Sequence, residues 1–395
     1  MAQSSVIRSI ISALVILIFI SAANAQDDCI CSSQVHGPES VIAGLPDDDL
    51  GAKIVSNSGD GSYFLGWSSS RDLSQTEEVK TVQGQILNQF MVPISDIILF
   101  ENSPSNVPGD PVFFGGVAFN LRKHQYFVVT GNNAFSPTGA KYGALKAYIV
   151  SDKGSVIASN IPVGDNRNFP ATIFSSIETE VLFNSISREY VVKYTILFRD
   201  NTSRTVIQSF DEQGIKKRKA VFFRRGELRF DFQANQYLFV GSGIVNGIFE
   251  IKGQLLSAQL KRIGPLNIVL SVPYVGNDPY QYTGPFSIFN PVRKRFVIFW
   301  YEGPWNNSKI FERSLASDGT LERKVATGIN RRIWEIRFNP VTSGYILIPN
   351  YSEVLRIDDK YRVTSGFSVT CQKPPAGNPF VVFNRFMQEY LLVWF

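Results

Sequence analysis

The sequence is poor in the side chains on which most catalytic sites depend. It has two histidines, three cysteines and three methionines in 395 residues. A histidine-rich metal centre would lack ligands, and a Ser-His-Asp hydrolase would depend on His36 or His124. No Gly-x-Ser-x-Gly elbow, phosphate-binding glycine loop or dinucleotide fingerprint occurs. The sequence therefore predicts no metal and no cofactor, and it argues against most common enzyme classes.

Charge and helical periodicity are also scarce. Charged residues make up 18% of the chain and the formal net charge is +5, which is too little for a dedicated nucleic-acid-binding protein. Almost no segment beyond the N-terminus repeats apolar residues with a helical period, and none there approaches 18 uninterrupted apolar residues. We therefore predict no nucleic-acid partner and no membrane span in the mature chain. Hydrophobic residues at 44% and aromatic residues at 13% exclude a disordered chain.

The N-terminus has the three parts of a secretory signal. Arg8 supplies the positive charge, Ile10–Ile20 form an apolar run, and Ala23-Asn24-Ala25 is a small-x-small cleavage site. We predict a signal peptide at residues 1–25 and a secreted, extracellular chain at 26–395 that forms one domain. Three glycosylation sequons, at Asn201, Asn306 and Asn350, fit this prediction.

An internal repeat is the strongest signal in the sequence. Seven segments share Phe-Asn, or a degenerate form of it, with an aromatic residue seven positions after the Phe. The intact copies are Phe119-Asn120 with Tyr126, Phe183-Asn184 with Tyr190, Phe289-Asn290 with Phe296, Phe338-Asn339 with Tyr345 and Phe383-Asn384 with Tyr390, and the degenerate copies are Phe230-Asp231 with Tyr237 and Ser56-Asn57 with Tyr63. Their starts are 45 to 64 residues apart, a period typical of propellers and other repeat arrays.

Each copy predicts an antiparallel hairpin, because Asn or Asp opens a turn and an alternating apolar strand follows. A second hairpin follows most copies, at turns such as Asp152-Lys-Gly154 and Asp318-Gly319. Two hairpins make a four-stranded sheet. We therefore predict an all-β, seven-bladed β-propeller. A two-domain sandwich is the alternative, but it would not need a constant seven-residue spacing.

The chain ends predict how the ring closes. Phe395 ends the second strand of the last copy, so its blade lacks an outer hairpin. We expect N-terminal strands around Cys29–Ser33 and Ser40–Ala43 to complete this C-terminal blade and cover its edge. A disulfide of Cys371 with Cys29 or Cys31 would then stabilise the closure by about 4 to 5 kcal/mol. Three cysteines leave one thiol unpaired or pairing between chains.

The order of apolar strand, Phe-Asn, turn, Tyr-x-Val-x-Trp and Asp-x-Gly hairpin resembles the repeats of secreted β-propeller proteins. The resemblance covers most of residues 50–395 and implies the architecture alone. The Gly-His and Trp-Asp signature of WD repeats is absent. The sialidase Asp-box is not met either, because Ser62 stands in Ser58-Gly-Asp60-Gly-Ser62 where that motif has Gly.

Alignment of the repeats predicts one candidate ligand site. Glu180, Glu227 and Glu335 each stand three residues before the Phe of their copy, at the start of an innermost strand near the mouth of the central channel. Converging carboxylates there could bind a cation or act as acid and base. In the alternative interpretation these residues are simply hydrated strand ends.

Aromatic loop residues form a second candidate. Tyr274, Tyr280 and Tyr282 crowd one loop, and Trp305 lies in the next connection. They could bind a sugar or a protein, or could pack on each other to stiffen the loop.

A basic run, Lys216–Lys219 with Arg224 and Arg225, could attract an anionic glycan or mineral surface. Its alternative role is a solvated sheet edge that discourages aggregation.

Export, a rigid repeat scaffold and missing catalytic motifs together predict a function. The main hypothesis is a secreted, non-enzymatic propeller that binds an extracellular protein or glycan, as an extracellular matrix component associated with tissue or mineral. The alternative is a lectin or a carboxylate-dependent glycoside hydrolase that uses the channel mouth. The fold alone does not decide between them.

Overall fold

The structure is a computed structural model in which part of the chain is described. The described residues are 15–19, 40–41, 48–74, 77–105, 112–135, 141–165, 172–174, 179–198, 203–274, 282–303, 308–330, 333, 335–350, 353–368, 380–386 and 389–394. All regular elements among them are strands. No helix in this part of the chain is long and apolar enough to cross a membrane.

The strands form sheets that we label in chain order from A to G. Two strands, β1 (Val15–Phe19) and β2 (Ser40–Val41), come first. Sheet A contains β3 (Asp48–Ser56), β4 (Tyr63–Ser74), β5 (Glu77–Leu87) and β6 (Ile98–Ser105). Sheet B contains β7 (Val112–Asn120), β8 (Gln125–Phe135), β9 (Lys141–Ser151) and β10 (Val156–Asp165). Sheet C contains β11 (Thr172–Phe174), β12 (Glu180–Asn184), β13 (Glu189–Phe198), β14 (Ser203–Phe210) and β15 (Val221–Phe223).

The second half of the chain repeats the same pattern. Sheet D contains β16 (Gly226–Asp231), β17 (Gln236–Val245), β18 (Ile248–Ser257) and β19 (Arg262–Pro273). Sheet E contains β20 (Tyr282–Asn290), β21 (Arg295–Glu302), β22 (Lys309–Ala316) and β23 (Val325–Ala326). Sheet F contains β24 (Glu335–Asn339), β25 (Gly344–Asn350), β26 (Glu353–Ile357) and β27 (Val363–Ser368). Sheet G joins β28 (Phe380–Asn384) and β29 (Glu389–Trp394) to β1 and β2.

Sheets A, B, D, E and F are four-stranded antiparallel meanders. In sheet C, β11 and β12 occupy successive lengths of the same edge of β13. The all-β prediction and the two-hairpin unit are thus confirmed for these sheets.

The Phe-Asn motif builds the same turn in successive sheets. Asn184 Oδ1 accepts hydrogen bonds from the backbone N–H groups of Ile186 and Ser187, both at 3.0 Å. The fifth residue after the Phe position then adopts a left-handed conformation, with φ between 51° and 59° at the non-glycine positions His124, Arg188, Asn235, Lys294 and Ser343. Gly61 stands at the same position in sheet A, with φ 78°. The repeat therefore encodes one hairpin geometry.

The same asparagine also joins its sheet to the next one. Its Nδ2 donates to the buried tyrosine hydroxyl of the following sheet at three of the described interfaces: Asn184 to Tyr237 at 2.8 Å, Asn290 to Tyr345 at 2.9 Å and Asn384 to Tyr63 at 2.8 Å. We call this contact the Asn–Tyr bond. One amide thus satisfies a turn with its oxygen and an interface with its nitrogen.

Apolar side chains fill the space between neighbouring sheets. Phe127 of sheet B stacks on Tyr190 of sheet C with ring centroids 4.5 Å apart. Trp67 and Trp300 are fully buried in such interfaces. The first strands β3, β7, β12, β16, β20, β24 and β28 contact one another in this order, and β28 also contacts β3. The first strands therefore lie side by side where successive sheets meet.

Sheet G differs from the expected closure. Val15–Phe19, within the predicted signal peptide, pairs in parallel with Tyr390–Trp394. Ser40–Val41, part of the expected Ser40–Ala43 strand, pairs with Ile18–Phe19. The strand beside β29 is therefore not Cys29–Ser33, which lies outside the described residues. An unpaired edge exposes backbone N–H and C=O groups, and the apolar Val15–Phe19 segment, rich in β-branched residues, is well suited to cover it.

Candidate functional site

Two of the predicted glutamates meet around an arginine. Glu180 is the first residue of β12 and Glu227 the second of β16. One terminal nitrogen of Arg229 pairs with Glu180, and the other lies 3.1 Å from Glu227 Oε2. Arg229 is two residues beyond Glu227, so both side chains lie on the same face of the strand. The structure thus places a cation between these two carboxylates.

The third glutamate has an arginine of its own. Glu335 begins β24, and its Oε1 lies 2.8 Å from Arg337 Nε. We did not predict the role of these arginines from the sequence, although a sequence pattern indicates it. Glu227-Leu-Arg229 and Glu335-Ile-Arg337 are the same Glu-x-Arg pattern on two first strands, and such a spacing puts opposite charges side by side.

Lysines complete the charged group. Lys53 Nζ donates to the backbone oxygens of Gly115 and Thr179, both at 2.6 Å. Lys193 is buried and stands opposite Glu180 in the strand register. Burial lowers the pKa of Lys53 to about 8, although the charge of Glu180 opposes this shift. We call Lys53, Glu180, Lys193, Glu227, Arg229, Glu335 and Arg337 the channel cluster.

Glu227 has a structural partner besides Arg229. Its Oε2 accepts hydrogen bonds from the backbone N–H of Ser287, at 3.0 Å, and from the Ser287 hydroxyl, at 3.1 Å. Arg229 Nε donates to the Ser287 backbone oxygen at 2.6 Å. These contacts join sheet D to sheet E. Glu227 is therefore engaged in holding two sheets together.

The other two glutamates have pKa values shifted in opposite directions. Burial alone would raise the pKa of Glu180, but the charges of Arg229, Lys193, Arg337 and Lys53 together hold it below its ordinary value.

Burial raises the pKa of Glu335, and Arg337 and Arg229 offset this only in part, since the negative charges of Glu227 and Glu180 raise it further. The two side chains remain 26% and 19% exposed, so a ligand can reach them.

This arrangement favours acid–base chemistry over cation binding. Among the described residues, no group of three His, Cys, Asp or Glu side chains could hold a metal ion. Positive charges also separate the carboxylates and would repel a cation. A charged group that contains one carboxyl of raised pKa and one of lowered pKa offers a general acid and a general base.

The predicted aromatic loop is described only in part. Tyr274 is half-buried and packs against the core of sheets D and E, as the packing interpretation expects. Tyr282 begins β20. Tyr280 and Trp305 lie outside the described residues, as do Cys29, Cys31, Cys371, Asn201 and Asn306, whereas Asn350 is the last residue of β25.

Comparisons with known proteins support the architecture. No protein-family model and no curated protein matches the chain. It is similar to a structure from a study of two prolyl endopeptidases, with a TM-score of 0.50 and 14% identity over 89% of this chain and 46% of that chain. It thus spans less than half of that chain. The β-propeller domain of the Trilobed protease from Pyrococcus furiosus has a TM-score of 0.43 and 10% identity, over 84% of this chain and 87% of that chain.

An α-L-arabinanase from Penicillium chrysogenum, complexed with arabinobiose, is also similar. Its TM-score is 0.44 and its identity 14%, over 82% of this chain and 93% of that chain. At such identities the likeness concerns the fold alone. The repeated four-stranded antiparallel sheets that the propeller prediction requires are present in the described part of the chain.

Proposed function

We propose that the channel cluster binds and hydrolyses a glycan by carboxylate chemistry. The partly exposed carboxyls of Glu180, Glu227 and Glu335, each paired with an arginine, carry this proposal. The opposite pKa shifts of Glu335 and Glu180 support it. Glu335 keeps its proton to higher pH and donates it to the leaving glycosidic oxygen. Glu180, held ionised by Arg229, acts as base toward water or as nucleophile toward the sugar. Glu227 positions Arg229 and does not take part in proton transfer.

The experiment uses the secreted chain on a panel of oligosaccharides, with released reducing ends as the measurement. Glu335→Gln and Glu180→Gln each remove a titrating carboxyl with little change in shape, and each should lower kcat at least about 100-fold. Glu322→Gln, at an exposed glutamate outside the cluster, is the control and should retain full activity. A wild-type chain that neither cleaves nor binds any glycan would overturn the proposal, as would full turnover in both variants.

The pH dependence gives a second test of the same roles. Activity needs Glu180 ionised and Glu335 protonated. It should therefore fall on the acid side as Glu180 takes up a proton and on the alkaline side as Glu335 loses one. Glu335→Gln should abolish the alkaline limb in the residual activity. An unchanged profile in this variant would assign the proton donor to another group.

A non-enzymatic role is the second candidate, and one observation favours it. Arg229 contacts both Glu180 and Glu227, so the carboxylates are neutralised by a neighbour without any ligand. In that case the cluster stabilises a secreted scaffold that binds an extracellular protein or glycan elsewhere, as a matrix component would. The glutamine variants would then lower the unfolding free energy and leave glycan turnover undetectable in every protein.

We further propose seven blades in a closed ring, in a secreted and glycosylated chain. Two contacts support the ring: β28 lies beside β3, and the Asn–Tyr bond of Asn384 with Tyr63 crosses the same junction. Removal of residues 1–25 would take β1 from the edge of β29, and residues 29–33 and 40–43 would occupy it. N-terminal sequencing and a non-reducing peptide map of the secreted chain test this proposal. It requires a start at Gln26 and a Cys371 bridge to Cys29 or Cys31, and a chain that starts at Met1 would contradict it.

A further inference from the structure

A groove of about 1210 Å³, which we call the outer groove, lies between sheets C and D, and its described lining includes no residue of the channel cluster. Sheets C and D form its walls, through residues at the start of β14, in β15 and along β17, β18 and β19. Arg224 and Arg225, which connect β15 to β16, stand at its side and are exposed. The groove therefore combines two sheets and the loop between them.

The charge of the groove is strongly one-sided. Its lining contains five cationic side chains, Arg204, Arg224, Arg225, Lys252 and Arg262, against the single carboxylate of Glu250. That carboxylate is already paired with Lys252 at 2.5 Å. Since the formal charge of the whole chain is only +5, much of the positive surplus is concentrated here. Such a concentration attracts an anionic ligand.

Arginine side chains lie near two of the aromatic rings of the groove. The Arg204 guanidinium lies 5.7 Å from the Phe222 ring centre, and the Arg262 guanidinium lies 5.4 Å from that of Phe223. Phe223 also stacks on Phe239, at 4.4 Å and 22°. Phe222 itself is 39% exposed. The groove therefore presents guanidinium groups of Arg204 and Arg262 beside aromatic rings.

One stretch of the groove also leaves room for an extended ligand. The lining of β17 includes the run Gly241-Ser242-Gly243. A Cβ atom added to Gly243 would meet no atom within 4 Å. A strand without side chains at such a point allows close approach to the backbone. The open space lies over Gly243, whereas the backbone oxygen of Arg225 lies 2.6 Å from the Cβ position of Gly241.

We propose that this groove binds a linear anionic glycan through its sulfate or carboxylate groups. Arginine suits this ligand because its planar fork makes two parallel hydrogen bonds to a sulfate or carboxylate. The site does not depend on the chemistry proposed for the channel cluster.

The test measures binding to the secreted full-length chain by calorimetry at two salt concentrations. The probes are a heparin octasaccharide for sulfate, an octamer of galacturonic acid for carboxylate, and a neutral dextran octamer. We expect binding of at least one anionic probe, weakened by salt, and no binding of dextran. The double variant Arg224→Ala with Arg225→Ala should weaken it at least about tenfold.

A matched control separates a site from general charge attraction. Lys216→Ala with Lys217→Ala removes the same charge from exposed residues outside the groove and should leave affinity within about twofold. Gly243→Ile fills the groove without changing charge and should weaken binding as strongly as the arginine variant. Equal losses in the lysine control would overturn the proposal, as would unimpaired binding by Gly243→Ile with an unchanged melting temperature.

Two further arms address competing explanations. Tighter binding of an octamer of uridylate than of either anionic glycan would overturn the proposal in favour of nucleic acid.

Asn201 lies two residues before Ser203, which lines the groove, so a glycan attached to Asn201 could obstruct the groove. Asn201→Gln should bind the anionic probe at least as tightly as the wild type. If no anionic probe binds even to this variant, the groove is not such a site.

Discussion

Two neighbouring interfaces between sheets are held by different polar contacts. Between sheets E and F, Asn290 donates to the buried hydroxyl of Tyr345 at 2.9 Å. Between sheets D and E the corresponding residues are Asp231 and Phe296, and Phe296 has no hydroxyl. Asp231 still closes its turn, because its Oδ1 accepts from two backbone N–H groups at 2.8 and 3.0 Å. The amide nitrogen is absent where it would have no partner.

Between sheets D and E, where the Asn–Tyr bond is missing, residues of the channel cluster provide the contact instead. Glu227 accepts two hydrogen bonds from Ser287, and Arg229 donates to the backbone of the same residue. The interface between sheets D and E therefore lacks both partners of the Asn–Tyr bond, the amide at Asp231 and the hydroxyl at Phe296. Arg229 serves both the charged cluster and the contact between two sheets.

The largest expected effect follows from removing that arginine. Arg229→Met leaves Glu180 and Glu227 without their shared partner and breaks the contact to Ser287. Because the group is about one-fifth exposed, we expect a loss of about 2 to 4 kcal/mol in the free energy of unfolding, near the lower range for broken buried pairs. Urea unfolding measures it, and Arg224→Met in the outer groove is the control. A loss no greater than that of the control would show that the cluster does not hold this interface.

A smaller effect is expected at the interface between sheets E and F. Tyr345→Phe leaves Asn290 Nδ2 buried without its hydroxyl partner, which should cost about 1 to 3 kcal/mol. Tyr274→Phe, at a half-buried tyrosine outside these hydrogen bonds, should cost under about 0.5 kcal/mol. Thermal and urea unfolding of both variants provide the comparison. Equal losses would mean that the Asn–Tyr bond contributes nothing specific.

The smallest effect comes from making the two interfaces alike. Asp231→Asn with Phe296→Tyr installs an Asn–Tyr bond between sheets D and E. The double variant should be more stable than the sum of the single changes by about 0.5 to 1.5 kcal/mol. A double-mutant cycle in urea measures this coupling. Strict additivity would show that the substituted residues do not meet in the required geometry.

Much of the fold was open to prediction because its signals are local. The apolar run in β21 and the turn asparagines such as Asn184 specify hairpins within about 15 residues of sequence. The candidate site was open only in part. Alignment found Glu180, Glu227 and Glu335, but not that Glu227 bonds to Ser287, 60 residues away. The strand beside β29 was also missed, since edge pairing depends on which segment reaches it.

The sequence by itself determined the repeat: strands, turns, and the matched identities at Asp231 and Phe296. These features depend on neighbours along the chain and on a residue type that recurs in each copy. Only the tertiary structure decided which charges meet, because Glu180 and Arg229 are 49 residues apart and come together through the packing of two sheets. The outer groove arises in the same way, since its arginines belong to different strands and the loop between two sheets. Their common location is a property of how neighbouring sheets pack, which no local pattern contains.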